Sequence, residues 1–374
     1  MRVDVVDPAA YTPPYDHALC TALARAGADV ELVTTRFAYG PVPREQGYAV
    51  SERFYRLAAG RPGSSLQRLT RLAQHVPDML RYRRAAREPD VVHLQWLAVQ
   101  PIDVHLLPRS RPLVLTAHDV LPREPRPGQV RSQGRLYERV DAVIVHSHHG
   151  RERLVVDLEI DPSKVHVVPH GAFDYLTRQE SEVPLPPELQ AVDSTVVLCF
   201  GLIRPYKGIE VLVDAWRGIE GAELWIVGMP RMPIDRLRAA APPSVRFVPR
   251  FVTDPEIPAY FRRADLVVLP YLDIDQSGVL FTALAFGRPM LLSAVGGFPE
   301  VAETGAAELV TPGDRGALHI ALQRLVADAP RRAQLAAAAR AAAAGQYAWE
   351  GIAARTIEVY ESVLPSPIAE NQRP

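Results

Sequence analysis

The sequence predicts an α/β protein made of two doubly wound domains, on three observations. Short apolar runs alternate with helix-patterned stretches from end to end, the order expected of parallel sheets covered by helices on both faces. The alternation falls into two series separated by Gly171–Asp193, a stretch rich in Pro, Glu and Gln without a clear period, as an interdomain linker would be. At 374 residues the chain also exceeds one ordinary core.

In the first series Val3–Val6, Val30–Val33, Val91–Leu94, Leu113–Thr116, Ala142–Val145 and Val165–Val168 read as short buried strands. The helix Ala18–Ala26 repeats apolar Leu19, Ala22, Leu23 and Ala26, and Gly27 is its stop signal. Ser64–Arg87 is a longer helix interrupted by Pro77. The second series places strands at Val196–Phe200, Leu224–Val227, Val245–Val248, Leu266–Leu269 and Met290–Leu292. Its helices are Ile209–Trp216, Ile257–Arg262, Val279–Phe286 and Ala317–Ala327, and the alanine-rich Ala333–Ala344 is strong helix former without chemistry. The ending Ala348–Leu364 either closes the second domain or crosses back to the first. These elements predict Rossmann-like domains at 1–175 and 194–346, a linker at 176–193 and a helix within 347–364, with ligands in a cleft between the domains.

Composition narrows the function. A hydrophobic content of 48% and a charged content of 23% describe a globular protein. The net charge of −1 argues against a nucleic-acid binder, which needs a basic excess. With only Cys20 and Cys199, neither a disulfide framework nor a cysteine zinc cluster is expected. The N-terminus lacks an apolar signal core, and no apolar run is long enough to span a membrane, so a cytoplasmic location is expected.

Lys207 is the most informative residue. Of 42 basic Lys and Arg side chains only Lys164 and Lys207 are lysine. A chain biased this far toward arginine keeps an ammonium where a compact point charge suits the site. Lys207 and Arg204 lie in Gly201–Gly208, between a strand and a helix, at the carboxyl sheet edge where α/β proteins hold ligands and where helix starts favour phosphate. The plainer reading is a solvated loop lysine.

Gly201–Gly208, Arg263–Pro270, Ser277–Val279, Ala285–Pro289, Gly296–Glu300 and Tyr347–Glu350 occur in an order that resembles the GT-B glycosyltransferases, in particular family four. Thr116–Asp119, Val145–Ser147 and Val168–Gly171 extend the likeness over nearly the whole chain. The resemblance implies two Rossmann-like domains facing each other across a cleft. It also implies retaining transfer from a nucleotide diphosphate sugar to an acceptor hydroxyl, with no other cofactor and no required metal. By similarity Arg204 and Lys207 stabilise charge on the departing phosphate. Gly201, Asp275, Gln276, Ser277, Gly278, Val279 and Thr282 would hold the donor.

The chain departs from the family pattern at several points. Leu202 stands where relatives carry the arginine, two residues before Arg204. Many relatives have two glutamates seven residues apart; Thr282 takes the place of the second, and the first falls near Asp275 or Gln276. A hydroxyl can bond a ribose without the charge assistance of a carboxylate. The run Asp273-Ile274-Asp275 looks like the metal-binding signature of a different glycosyltransferase fold.

In the first half, His118 follows a strand and by similarity faces the donor sugar or acceptor; otherwise it bonds a loop carbonyl. Asp119, its neighbour, belongs with the acceptor side. Tyr11–His17 replaces the glycine pair of relatives, and its prolines lack the N–H that phosphate would use. Asp16 and His17 therefore belong with an acceptor hydroxyl, unless Asp16 is a helix N-cap. Near His146, His148 and His149, Ser147 reads as an N-cap and the histidines as structural or solvent-facing. Residues 53–87 carry nine arginines against the single acid Asp78, interleaved with apolar side chains. The stretch fits peripheral contact with an anionic lipid surface, a phosphorylated acceptor, or a solvated face. Two rival functions use the same fold: a nucleotide-sugar epimerase and a non-catalytic nucleotide-sugar-binding subunit. The nucleotide, the sugar and the acceptor (glycan, lipid-linked or small molecule) are not encoded by any motif.

Overall fold

The structure, a computed structural model, describes residues 1–38, 40, 42–61, 63–121, 128–179 and 181–365. Pro62 in the basic stretch and Glu180 in the expected linker lie outside them. The chain forms two compact units, one of Met1–Pro169 with the C-terminal residues from Trp349, the other of His170–Ala348.

The first unit holds a seven-stranded sheet of β1 (Arg2–Asp7), β2 (Asp29–Thr34), β3 (Ala49–Glu52), β4 (Val91–Leu94), β5 (Leu113–Thr116), β6 (Ala142–Val145) and β7 (Val165–Val167). Every pairing is parallel, in the order β3-β2-β1-β4-β5-β6-β7. The strand direction of numbering reverses between β1 and β4, which makes that gap the topological switch point. Val6, Val92, Leu94, Leu113, Leu115, Val143 and Val145 point into one core. The helices Pro13–Arg25 and Trp349–Val363 pack together; the Tyr15 and Trp349 rings meet at 5.3 Å. Tyr360 also reaches His93 on β4, at 2.6 Å. The last helix thus completes the first unit's layer, and sequence periodicity left that destination open.

The second unit holds β8 (Thr195–Phe200), β9 (Ala222–Val227), β10 (Val245–Val248), β11 (Leu266–Leu269), β12 (Met290–Ser293) and β13 (Ala307–Val310), all parallel, in the order β10-β9-β8-β11-β12-β13. Its switch point lies between β8 and β11. Val196 and Leu198 enter one core while Val197 and Cys199 enter the other, as expected of a parallel sheet buried on both faces. Leu176, Leu185 and Leu189 also join this unit's core.

Two strands, β3 and β13, escape the apolar-run criterion. β3 (Ala-Val-Ser-Glu) is a mostly exposed edge, and β13 alternates buried Ala307 and Val310 with Glu308 and exposed Leu309. The first helix begins at Pro13, five residues before its apolar pattern becomes regular. Proline suits a first turn, where its missing N–H has no partner to lose. Asp16 is consequently inside the first turn and Thr12 occupies the cap position, so Asp16 is not an N-cap. Ser147 is one: its hydroxyl accepts from the Gly150 N–H at 3.0 Å. Among the described residues no helix is long and apolar enough to cross a membrane.

Candidate active site

At the switch point of the second unit, the chain leaves β8 through Gly201 and forms a single 3-10 turn, Pro205–Lys207, before the helix Ile209–Ala215. Arg204 sits at the start of this turn, half-buried, and Lys207 at its end, buried. The Lys207 ammonium lies 4.8 Å from the centre of the Tyr271 ring, which follows β11. The Tyr271 hydroxyl is 3.3 Å from Ser277 Oγ. A cation over an aromatic face is attracted to it electrostatically. Burial pushes the neighbouring Cys199 thiol up to about 12, against the pull of the Lys207 charge, and it stays a neutral wall.

Two glycines make this geometry accessible. A Cβ on Gly201 would stand 2.9 Å from Lys207 Nζ and 3.1 Å from Val279, on a backbone with φ +104°. A Cβ on Gly208 would stand 2.0 Å from the Pro270 carbonyl oxygen, at φ +65°. The loops after β8 and β11 are therefore in backbone contact, and Leu272 N–H donates to the Tyr206 carbonyl at 2.7 Å. Gly201, Lys207, Ser277 and Val279 converge on one spot. Tyr271, which joins them, carries no motif signal; its place two residues after β11 becomes informative only when β8 and β11 are known to be adjacent.

The other donor-side residues vary in setting. Asp275 is buried, and its carbonyl accepts from Gly297 N–H at 3.0 Å. Gln276 is half-buried. Gly278 is exposed at the start of the helix Gly278–Ala285, next to Phe173. Thr282 is buried and donates its hydroxyl proton to the Gly278 carbonyl one turn back, at 3.0 Å, which leaves its oxygen as an acceptor. Asp273 is exposed while Asp275 is buried. Among the described residues no group of three or more His, Cys, Asp or Glu side chains is arranged to hold a metal ion.

At the switch point of the first unit the residues are aromatic. His118, half-buried after β5, lies parallel to Trp96 at 5.0 Å and 8°, and Trp96 stacks on Tyr11 at 5.2 Å. The Gln95 carboxamide meets His118 Nε2 at 3.0 Å. His146 Nδ1–H donates to the Val168 carbonyl at 3.0 Å, which leaves its Nε2 to accept from His118 Nδ1, 3.2 Å away. Burial lowers His146 to about 4 and His93 to about 3, so both are neutral at pH 7 and fix ring orientations. Asp119 is half-buried beside His118.

Asp16 and His17 are both buried and directed into the unit. Asp16 takes a bond from Thr12 Oγ1 at 3.5 Å and pairs with Asp7. Burial raises both carboxyls. Asp7 receives three backbone N–H groups, so it keeps the charge and Asp16 keeps the proton. His17 bonds the Tyr48 hydroxyl, and burial lowers it to about 4. The structure does not bring these two to the surface beside His118; Asp16 reaches the ring stack only through Thr12, which accepts from Trp96 Nε1 at 2.8 Å. Trp96, Gln95 and His93 form the setting of His118 and carry no motif signal.

The basic stretch forms the helix Ser65–Ala85. Its buried side chains are His75, Asp78, Met79 and Tyr82; Asp78 accepts from Tyr55 N–H at 2.8 Å, His75 bonds Tyr55 and Asp103, and half-buried Gln74 accepts from Leu57 N–H at 2.9 Å. Its leucines face outward, with Leu66, Leu69 and Leu72 each more than half exposed and Leu57 81% exposed beside them. Arg61, Arg68, Arg81, Arg84 and Arg87 are exposed around them.

Comparisons with known proteins agree with this architecture. The family described as Glycosyltransferase Family 4 matches residues 15–172, and Glycosyl transferases group 1 matches residues 194–328. A D-inositol 3-phosphate glycosyltransferase of Xylanimonas cellulosilytica is 30% identical, covering 91% of this chain and 89% of the relative. A GDP-mannose:glycolipid 4-beta-D-mannosyltransferase of Xanthomonas campestris pv. campestris is also 30% identical, over 60% of this chain and 68% of the relative. The solved structure of sucrose-phosphate synthase from Thermosynechococcus elongatus superposes with a TM-score of 0.75 at 20% identity, over 97% of this chain and 98% of that one. With both halves matched in order and the GT-B fold shared, the chain belongs to the family 4, group 1 glycosyltransferases.

Proposed function

We propose that this glycosyltransferase moves a sugar from a nucleoside diphosphate sugar to an acceptor hydroxyl with retention of configuration. The observation that carries the reading is the buried Lys207 ammonium at the switch point, held between Gly201 and Tyr271. An ammonium placed there gains most from a ligand whose negative charge grows in the transition state. The donor diphosphate would lie against Lys207 and Arg204, with the N–H groups of Ser277, Gly278 and Val279 beside it and Thr282 toward the ribose. The bond between the anomeric carbon and the phosphate oxygen breaks, and its electron pair stays on the phosphate. The acceptor oxygen bonds the anomeric carbon on the same face, and its proton passes to the departing phosphate. No separate protein base is required, which suits a site where Asp16 holds its proton and His17 is turned away. His118 would face the transferred sugar. The first unit would take the acceptor, and the chemistry needs no cofactor besides the donor.

Retention rests on family 4 membership. Inversion is the second reading, because the name of the X. campestris relative specifies a beta-linked product. NMR of the product decides between them, by the H1–H2 coupling for glucose from UDP-glucose or the one-bond C1–H1 coupling for mannose from GDP-mannose: the donor's anomer supports retention, the opposite anomer overturns it. Incubation with donor alone separates the rivals, since an isomeric nucleotide sugar marks an epimerase. Donor binding without turnover on any acceptor marks a binding subunit.

The outward leucines and exposed arginines of Ser65–Ala85 suit peripheral attachment to an anionic bilayer. Leucines would enter the acyl boundary and arginines the phosphate layer.

A further inference from the structure

We infer that the stacked rings of Tyr11 and Trp96 are a binding platform for a pyranose ring of the acceptor. The inference rests on the transfer reading only in calling this sugar the acceptor; the platform itself is argued from the first unit alone.

Tyr11 follows β1 and Trp96 follows β4, so the stack bridges the switch point of the first sheet, the place where open α/β sheets bind ligands. Tyr11 is 65% exposed, an unusual setting for a ring already stacked on one face. The platform is rigid. Trp96 is layered between Tyr11 and His118, at 5.2 and 5.0 Å, and its Nε1–H is tied to Thr12 Oγ1 at 2.8 Å. The loop carrying Tyr11 is tied as firmly: Asp7 accepts from the N–H groups of Ala9, Tyr11 and Thr12. Ala10 is held at φ +51°, a left-handed conformation that a residue with a side chain adopts only when its surroundings impose it. Two buried carboxyls and a strained alanine thus serve to present one exposed ring.

The chemistry of the surface selects its ligand. A chair pyranose offers a face of C–H groups to an aromatic ring and a rim of hydroxyls to polar neighbours. Here the outer face of the Tyr11 phenol supplies the face, with the Trp96 indole stacked behind it, and half-buried Thr12, bonded to Trp96 Nε1, supplies the rim. The second unit's switch point, with its lysine, takes charge; this one takes an uncharged ring.

Tryptophan emission reads the platform directly, because Trp216, Trp225 and Trp349 are 0, 0 and 7% exposed and Trp96 is the half-buried one. The full chain is titrated with methyl glucopyranoside, methyl mannopyranoside, methyl galactopyranoside and cellobiose, with uridine as a planar control. We expect a saturable emission change with at least one glycoside, abolished in Trp96→Phe, weakened at least about tenfold in Tyr11→Ala and retained in Tyr11→Phe. The rise in thermal midpoint with UDP or GDP should be unchanged in all three variants. No response to any glycoside, equal affinity in Tyr11→Ala, or a response to uridine alone overturns the platform. If neither nucleotide raises the wild-type midpoint, the transfer reading fails, while the glycoside titration still judges the platform.

Discussion

Lys207 Nζ stands 4.8 Å above the centre of the Tyr271 ring, although 64 residues of chain separate the two. The contact exists because β8 and β11 are neighbours in the sheet, and Gly208 lets their following loops touch. The ring face attracts the cation and carries no net charge of its own.

Lys207→Ala should reduce the affinity for UDP and GDP by roughly 10- to 100-fold, the size of one or two charge-assisted hydrogen bonds. Thermal shift against nucleotide concentration measures this. Lys207→Arg should fail to restore it, because the planar guanidinium needs the space that lies against Gly201. Full affinity in Lys207→Ala would remove the lysine from the donor site.

Gly208→Ala tests the loop contact. The added Cβ meets the Pro270 carbonyl at 2.0 Å on a left-handed backbone, so we expect a loss above about 2 kcal/mol in urea unfolding of the second unit. Gly218→Ala, where φ is +81° and nothing lies within 4 Å, should cost less. Equal losses would show that the contact adds nothing to the backbone strain.

Buried His93 gives a signed pH effect. Its folded value, about 3, is below the unfolded value near 6.5. The stability it contributes is complete above pH 6.5 and declines as the pH falls toward 3. His93→Gln cannot take up that proton, so the stability gap between wild type and variant should shrink from pH 7 to pH 5. Asp16 has the opposite sign: its raised carboxyl loses stability as the pH rises, and Asp16→Asn should gain on the wild type between pH 5 and pH 8. Denaturant unfolding of both pairs at these pH values checks the two slopes, and pH-independent gaps would contradict them.

Vesicle sedimentation tests the outward face of Ser65–Ala85. The wild type should pellet with vesicles containing phosphatidylglycerol and not with pure phosphatidylcholine, and binding should fall as salt rises. Leu66→Ser with Leu69→Ser and Leu72→Ser should lose most of this binding and keep the thermal midpoint, since all three side chains are exposed. Binding that survives the triple change would assign the face to another role.

Legibility from the chain differed by residue for physical reasons. Buried parallel strands such as Val91–Leu94 and Leu266–Leu269 are short continuous apolar runs, and they emerge at the expected bounds. Edge strand Ala49–Glu52 is exposed, so burial left no apolar imprint on it. Lys207 was visible because lysine is rare here and its loop follows a clear strand. The amphipathic character of Ser65–Ala85 was visible too, but periodicity reports that a helix has two faces, not which one the fold covers; the fold buries His75, Asp78, Met79 and Tyr82 and leaves Leu66, Leu69 and Leu72 exposed. Local composition thus determined strands, helices and the cation at a loop. The partners of that cation, the inward course of Asp16 and His17, and the meeting of Tyr11 with Trp96 were decided by strand order alone, because side chains far apart in sequence become neighbours only when the sheet chooses which strands lie side by side.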